Sequence, residues 1–95
     1  MKIVGKDSLE AFKADHADAR ADVDSWVATV EDVTWRTPHE MKMSFPKADP
    51  VGGGNTIFNI YYNRYRLWVI INYKYQLVMV KAIGTHKEYE KWKIK

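Results

Sequence analysis

At Asn55 the spacing of apolar residues changes period. Before it, apolar side chains recur every three to four positions, as on one face of a helix; after it, they alternate, as on one face of a strand. The chain therefore reads as helical segments followed by a run of strands. "NTIFNIYY", "YRLWVIINY" and "YQLVMVKAIG" are rich in aromatic and β-branched residues and form three successive expected strands. The separators, Asn63-Arg64 and the region of Tyr73 to Tyr75, are short, which predicts an antiparallel meander. Neither matches the favoured Asn-Gly turn, so the registers stay open. The middle strand places Tyr65, Leu67, Val69 and Ile71 on one face and Arg66, Trp68, Ile70 and Asn72 on the other. Largely apolar on both faces, it is expected at the centre of the sheet.

Upstream, "MKIVG" reads as one small strand. Asp7 with Glu10 predicts the start of a short helix, "DSLEAFKA", with Leu9 and Phe12 on one face. A second helix is expected to begin near Asp15 or Asp18. Val23, Trp26, Val27 and Val30 share its apolar face, and Asp18, Asp22, Asp24 and Glu31 lie mostly off it. In "TPHEMKMSFP", Thr37 is placed as cap, Pro38 in the first helical position and Glu40 three after the cap, before Pro46 stops the helix. "KADPVGGGN" reads as a flexible connection. Its glycines do not make a phosphate loop, because no Gly-Lys-Ser/Thr follows and the next element is a strand.

The length of 95 residues suits a single domain over 1–95, with a modest core and an open groove rather than an enclosed active site. Cysteine is absent, which excludes disulfides, thiol nucleophiles and cysteine zinc sites. No secretory pattern opens the chain, and "LWVII" is too short to span a bilayer, so a soluble, cytoplasmic protein without membrane contact is expected. Charge is divided along the chain. Residues 1–55 hold seven Lys or Arg against ten Asp or Glu, and residues 56–95 hold eight against two. A basic half suits a partner that carries phosphate, although solvated lysines near a chain end also contribute to it.

His16, His39 and His86 are scattered over unlike elements without metal-ligand spacing, so neither a metal nor another cofactor is expected. No serine nucleophile elbow is present, and the acidic pairs sit on the outer face of a helix. Arg66 is more informative. An arginine on a central strand is either paired with an acid from the N-terminal half or aimed into a groove, where its planar fork suits phosphate. Lys81 interrupts the last strand in the same manner. In "GTHKEYEKWKIK", Thr85 and Glu88 form a capping box, yet His86 and Lys87 put cations where a helix dipole disfavours them. They suit a helix end that binds an anion, with Tyr89 and Lys93 nearby at helical offsets of three and seven. Such groups can cleave RNA without metal by moving the protons of the attacking and leaving oxygens and stabilising phosphorane charge. Alternatively, Tyr89 and Trp92 staple a terminal helix to the sheet while His86 and Lys87 are solvated.

"FNIYYNRYRLWVIINY" followed by "GTHKEYEKW" resembles the HigB toxins of type II toxin-antitoxin systems, within the RelE-like superfamily of messenger-RNA interferases. The resemblance extends back through "TPHEMKMSFP" and covers residues 35–92. It implies an α+β fold with N-terminal helices packed on a mainly antiparallel sheet of about four strands and a short C-terminal helix. It also implies a metal-independent endoribonuclease that cleaves translated mRNA on the ribosome, and a HigA-type antitoxin that silences it. Carried over by position, Arg66, His86, Lys87 and Tyr89 are the catalytic candidates. Asn59, Arg64, Lys81 and Lys93 are the RNA-binding candidates. The tip "YYNRY" departs from relatives that are glycine-rich there. Two rival readings are a catalytically inactive RelE-like module that binds an antitoxin or RNA through the basic C-terminal face, and an interaction protein using Tyr61, Tyr62, Tyr65, Tyr73 and Tyr75.

Overall fold

Strand β1 (Lys2–Val4) opens the chain, followed by helix α1 (Lys6–Asp15), a 3-10 turn (Ala17–Ala19) and helices α2 (Arg20–Asp32) and α3 (Pro38–Ser44). Strands β2 (Asp49–Gly52), β3 (Asn55–Ile60), β4 (Tyr65–Asn72) and β5 (Leu77–Thr85) then lead into α4 (His86–Tyr89). This computed structural model describes residues 1–94. The strands form one mixed sheet in the order β1-β5-β4-β3-β2. β1 runs parallel to β5, and every other neighbouring pair is antiparallel. The architecture is α+β, with β4 central.

The sheet has five strands rather than about four. The additional one, β2, lies within "KADPVGGGN", the segment expected to be a flexible connection, and pairs with β3 at the sheet edge. Proline is tolerated on an edge strand, where its missing N–H costs no ladder bond. Gly54 makes the following turn possible. Its φ is +80°, and an added Cβ would lie 2.6 Å from the Ile71 carbonyl oxygen.

The start of α1 also differs from its sequence signal. Asp7 is not the cap; the helix begins one residue earlier, after Gly5 in a left-handed conformation (φ 93°) with no side-chain cap. Glycine adopts that conformation without a Cβ penalty, so the chain turns there and Asp7 lies in the first turn. α2 likewise begins without a side-chain cap, entered through the 3-10 turn. α3 follows its signal: Thr37 accepts a hydrogen bond from the Glu40 amide, and Pro38 is the first helical residue.

The core lies between the helices and one face of the sheet. Leu67, Val69 and Ile71 of β4 are buried on that face with Phe58 and Ile60 of β3, Val78 of β5 and Ile3 of β1. Leu9 and Phe12 of α1, Val23, Trp26 and Val30 of α2, and Met41 of α3 complete the same cluster. Aromatic edges fix the seam: Trp26 meets Phe58 at 5.4 Å, and Phe12 meets Tyr65 at 5.1 Å, both near-perpendicular. The Tyr65 hydroxyl donates to Asp18, 2.8 Å and 3.0 Å from its two carboxylate oxygens. Among the described residues no helix is long and apolar enough to cross a membrane.

Candidate active site on the outer sheet face

The alternation that sends Leu67 and Val69 into the core sends Arg66, Trp68 and Ile70 to the opposite face. Register aligns their neighbours. Asn59 pairs with Arg66 across β3 and β4, and Gly84 pairs with Arg66 across β4 and β5. At the same end of the sheet, α4 follows β5 directly. Its capping box is complete, with the Glu88 amide donating to Thr85 Oγ1 (3.2 Å) and the Thr85 amide donating to Glu88 Oε1 (2.8 Å). Gly84 makes room for it, since a Cβ there would stand 2.9 Å from Glu88 Oε1.

Those two bonds answer the puzzle of the basic first turn. α4 is four residues long, so its dipole is small, and the cap already occupies two of its amides. The anion-binding helix end anticipated from the sequence is therefore replaced by side chains gathered around Tyr89. The Arg66 guanidinium carbon lies 5.6 Å from the Tyr89 ring centroid, and the His86 ring lies 5.9 Å from it on a tilted plane. Trp92 packs edge-on to Tyr89 at 5.7 Å and against Trp68 at 6.1 Å, so the expected stapling of the terminal turn to the sheet is present beside Arg66 and His86. Trp68 is itself held, its indole N–H donating to Asn55 Oδ1 at 2.9 Å.

Arg66 is half-buried. Its Nη1 donates to the Asn63 carbonyl oxygen at 2.8 Å and more weakly to that of Tyr65 at 3.4 Å. The expected alternative, neutralisation by an acid of the N-terminal half, does not occur among the described residues. Asp18 pairs instead with Arg64, 3.6 Å from its Nε. Carbonyl oxygens orient a guanidinium without cancelling its charge, so Arg66 presents a fixed cation to the open face.

Lys81 stands on this face at a break in the ladder. The register shifts between Trp68 and Val69, which pair with Ala82 and Val80, leaving Lys81 as the extra residue of a β-bulge. Its Nζ lies 5.9 Å from the Trp68 ring centroid. Alternation from Val78 and Val80 already turns Lys81 outward; the extra residue lets Ala82 stay opposite Trp68 and returns Ile83 to the helix side. Val80 and Ile83 are both partly buried against the core, and their three-residue spacing is the trace of the bulge in the sequence.

The other candidates are dispersed. Lys87 is exposed on α4, beside the Arg66, His86 and Tyr89 group. Lys93 is exposed beyond the helix, which ends at Tyr89, so the helical offset of seven does not apply. Arg64 is tied to Asp18 at the helix side of the hairpin. Asn59 lines a cleft of about 520 Å³ between the α3–β2 connection and the hairpin tip. In that tip Tyr61 and Tyr62 both have positive φ, 50° and 61°. A bulky residue in the left-handed region costs roughly 1–3 kcal/mol. Trp68, Trp92 and Asn55 were not among the sequence candidates, although Trp92, between Lys91 and Lys93, carries a legible signal for an aromatic beside cations. Among the described residues no group of three or more His, Cys, Asp or Glu is placed to hold a metal ion.

The arrangement can hold a phosphate between a fixed guanidinium and an imidazole, beside an aromatic platform edged by lysine. Residues 19–92 match the HigB_toxin family model, the RelE-like toxic component of a toxin-antitoxin system. No curated protein matches the chain.

Proposed function

The chain belongs to the HigB toxin family, whose place in a toxin-antitoxin system implies an antitoxin partner, and from that premise we propose that it is a metal-independent endoribonuclease that cuts mRNA during translation. The observation that carries this reading is the convergence of Arg66 and His86 on Tyr89, on a face where no carboxylate of the described residues pairs with either side chain. The ribosome and a HigA-type antitoxin are the proposed partners.

In this mechanism the 2′-oxygen of one nucleotide loses its proton and bonds to the adjacent phosphorus. The bond from phosphorus to the 5′-oxygen breaks, and that oxygen takes up a proton. The products are a 2′,3′-cyclic phosphate and a 5′-hydroxyl. His86 transfers one of the two protons, Tyr89 positions the substrate or transfers the other, and Arg66 stabilises the charge that develops on the phosphorane. Lys87 contacts the phosphate. Asn59, Arg64, Lys81 and Lys93 contact the RNA on either side, Arg64 by exchanging its exposed Asp18 partner for phosphate. Purified protein added to ribosomes programmed with a defined message, with naked message as control, tests the reading by mapping new 5′ ends. New ends only with ribosomes support it; a folded sample that cuts neither message overturns it in favour of a silent binding module.

A further inference from the structure

The cleft beside the β3–β4 hairpin takes no part in the proton transfers assigned to His86 and Tyr89. Phe45 and Phe58, edge to face at 5.1 Å, form an aromatic wall for it. Tyr62 lines it from the hairpin tip, 87% exposed, with its ring tilted against that of Tyr61 at 5.6 Å. The tip is held from both sides, by the Tyr61 amide donating to Asp22 Oδ2 at 2.8 Å and the Arg64 amide donating to the Tyr61 carbonyl oxygen at 3.1 Å. Tyr62 is thus a large flat ring presented to solvent on a fixed turn.

We propose that this cleft seats one nucleobase of single-stranded RNA, stacked on Tyr62. The proposal rests on the RNA-cleaving reading above and adds to it a base site. Charge selects the occupant: the lining includes Lys47 and no carboxylate, which suits a polyanion. Connectivity selects the register. Asn63 lines the cleft and its carbonyl oxygen holds the Arg66 guanidinium at 2.8 Å, while Asn59 lines it and pairs directly with Arg66 across the sheet. A nucleotide whose phosphate sits at Arg66 therefore has a neighbouring base at the hairpin tip. The side-chain amides of Asn59 and Asn63 supply both donors and acceptors to a base edge, whereas stacking on a tyrosine accepts any base.

The test uses the full chain carrying His86→Ala, so that RNA is bound and not cut, and short single-stranded RNA oligonucleotides with 2-aminopurine or an abasic residue placed at successive positions. Base–aromatic stacking predicts that Tyr62→Ala weakens binding by about 5- to 100-fold, while Tyr62→Phe and Tyr62→Trp retain it. One 2-aminopurine position should be quenched only when the ring is present. Removing the base at that position should weaken the parent by a similar factor and leave Tyr62→Ala unaffected. Binding that ignores Tyr62, or that is absent, overturns the base site, as does a Tyr62→Ala variant that loses only its antitoxin. The two readings fail separately. Tyr62-dependent binding with no cutting of a translated message by the unmodified protein keeps the base site and removes the enzyme; unchanged cutting by Tyr62→Ala removes the base site and keeps the enzyme.

Discussion

The two faces of the sheet treat cations in opposite ways. All four ion pairs among the described residues involve α1, the 3-10 turn or α2: Lys6 with Glu31, Lys13 with Glu10 and Asp24, and Arg64 with Asp18. On the outer face, Arg66 is held by carbonyl oxygens and Lys81 lies over an indole. The first arrangement cancels charge within the fold; the second orients charge and leaves it for an anion. The acids of α1, the 3-10 turn and α2 thus hold the cations of the helix side, and the outer face keeps the two cations that the proposed reaction would use.

If that division holds, substitutions on the two faces should fail in different assays. The largest effect belongs to the outer face: His86→Ala should lower cleavage of a translated message by about 10²- to 10⁴-fold. Its thermal midpoint should stay near that of the parent, because His86 is exposed. Trp26→Ala attacks the other face, where the indole is 3% exposed and meets Phe58 edge-on. Chemical denaturation should show a loss of about 3–5 kcal/mol. Gly84→Ala crosses the division. A methyl group there crowds the Glu88 carboxylate and displaces it from the Thr85 amide, so a stability loss of about 0.5–2 kcal/mol, the scale of a lost cap, should accompany a loss of cleavage. Retained activity in a folded Gly84→Ala protein would separate α4 from the chemistry.

Much of this comparison was legible in the sequence wherever the controlling interaction is local. The caps at Thr37 and Thr85 are bonds across three residues, and both formed as their spacing indicated. The buried alternation of β4 is equally local. What stayed hidden depends on pairing. β2 owes its existence to β3 and looks like a loop because proline and glycine suit an edge. The bulge at Lys81 leaves a trace in the sequence, the three-residue spacing of Val80 and Ile83, but that spacing gains its meaning only when β4 and β5 are aligned. The partner of Arg66 stayed open because sequence does not say which arginine an acid of the N-terminal half meets, and the fold delivers Asp18 to Arg64 and the Tyr65 hydroxyl. Lys93 misled for the opposite reason, since a helical offset was applied past the end of a helix that stops at Tyr89.

Two smaller effects sharpen the comparison. Lys81→Ala should reduce the slope of log RNA affinity against log salt by about 0.7, the counterion contribution of one contact to single-stranded nucleic acid, measured by titration at several ionic strengths. Lys6→Ala, across the sheet, should leave the slope unchanged and alter stability by about 1 kcal/mol or less. The smallest effect is a titration. Hydrogen bonds from the Thr85 backbone and side chain hold the Glu88 carboxyl below its ordinary range. The carboxylate is therefore favoured in the folded state; its contribution is present at neutral pH and is lost as pH falls through the lowered value. Trp92 fluorescence should report loosening of α4 in acid, and Glu88→Gln should remove that acid limb.

In the proposed reaction Arg66 stays unneutralised for phosphate rather than for stability. Arg66→Ala, compared with the parent for thermal midpoint and for cleavage of message on programmed ribosomes, tests it most directly. The account predicts a nearly unchanged midpoint with cleavage reduced by about 10²- to 10³-fold, the scale of losing one preorganised donor to transition-state charge. Full cleavage by a stably folded Arg66→Ala protein would contradict it.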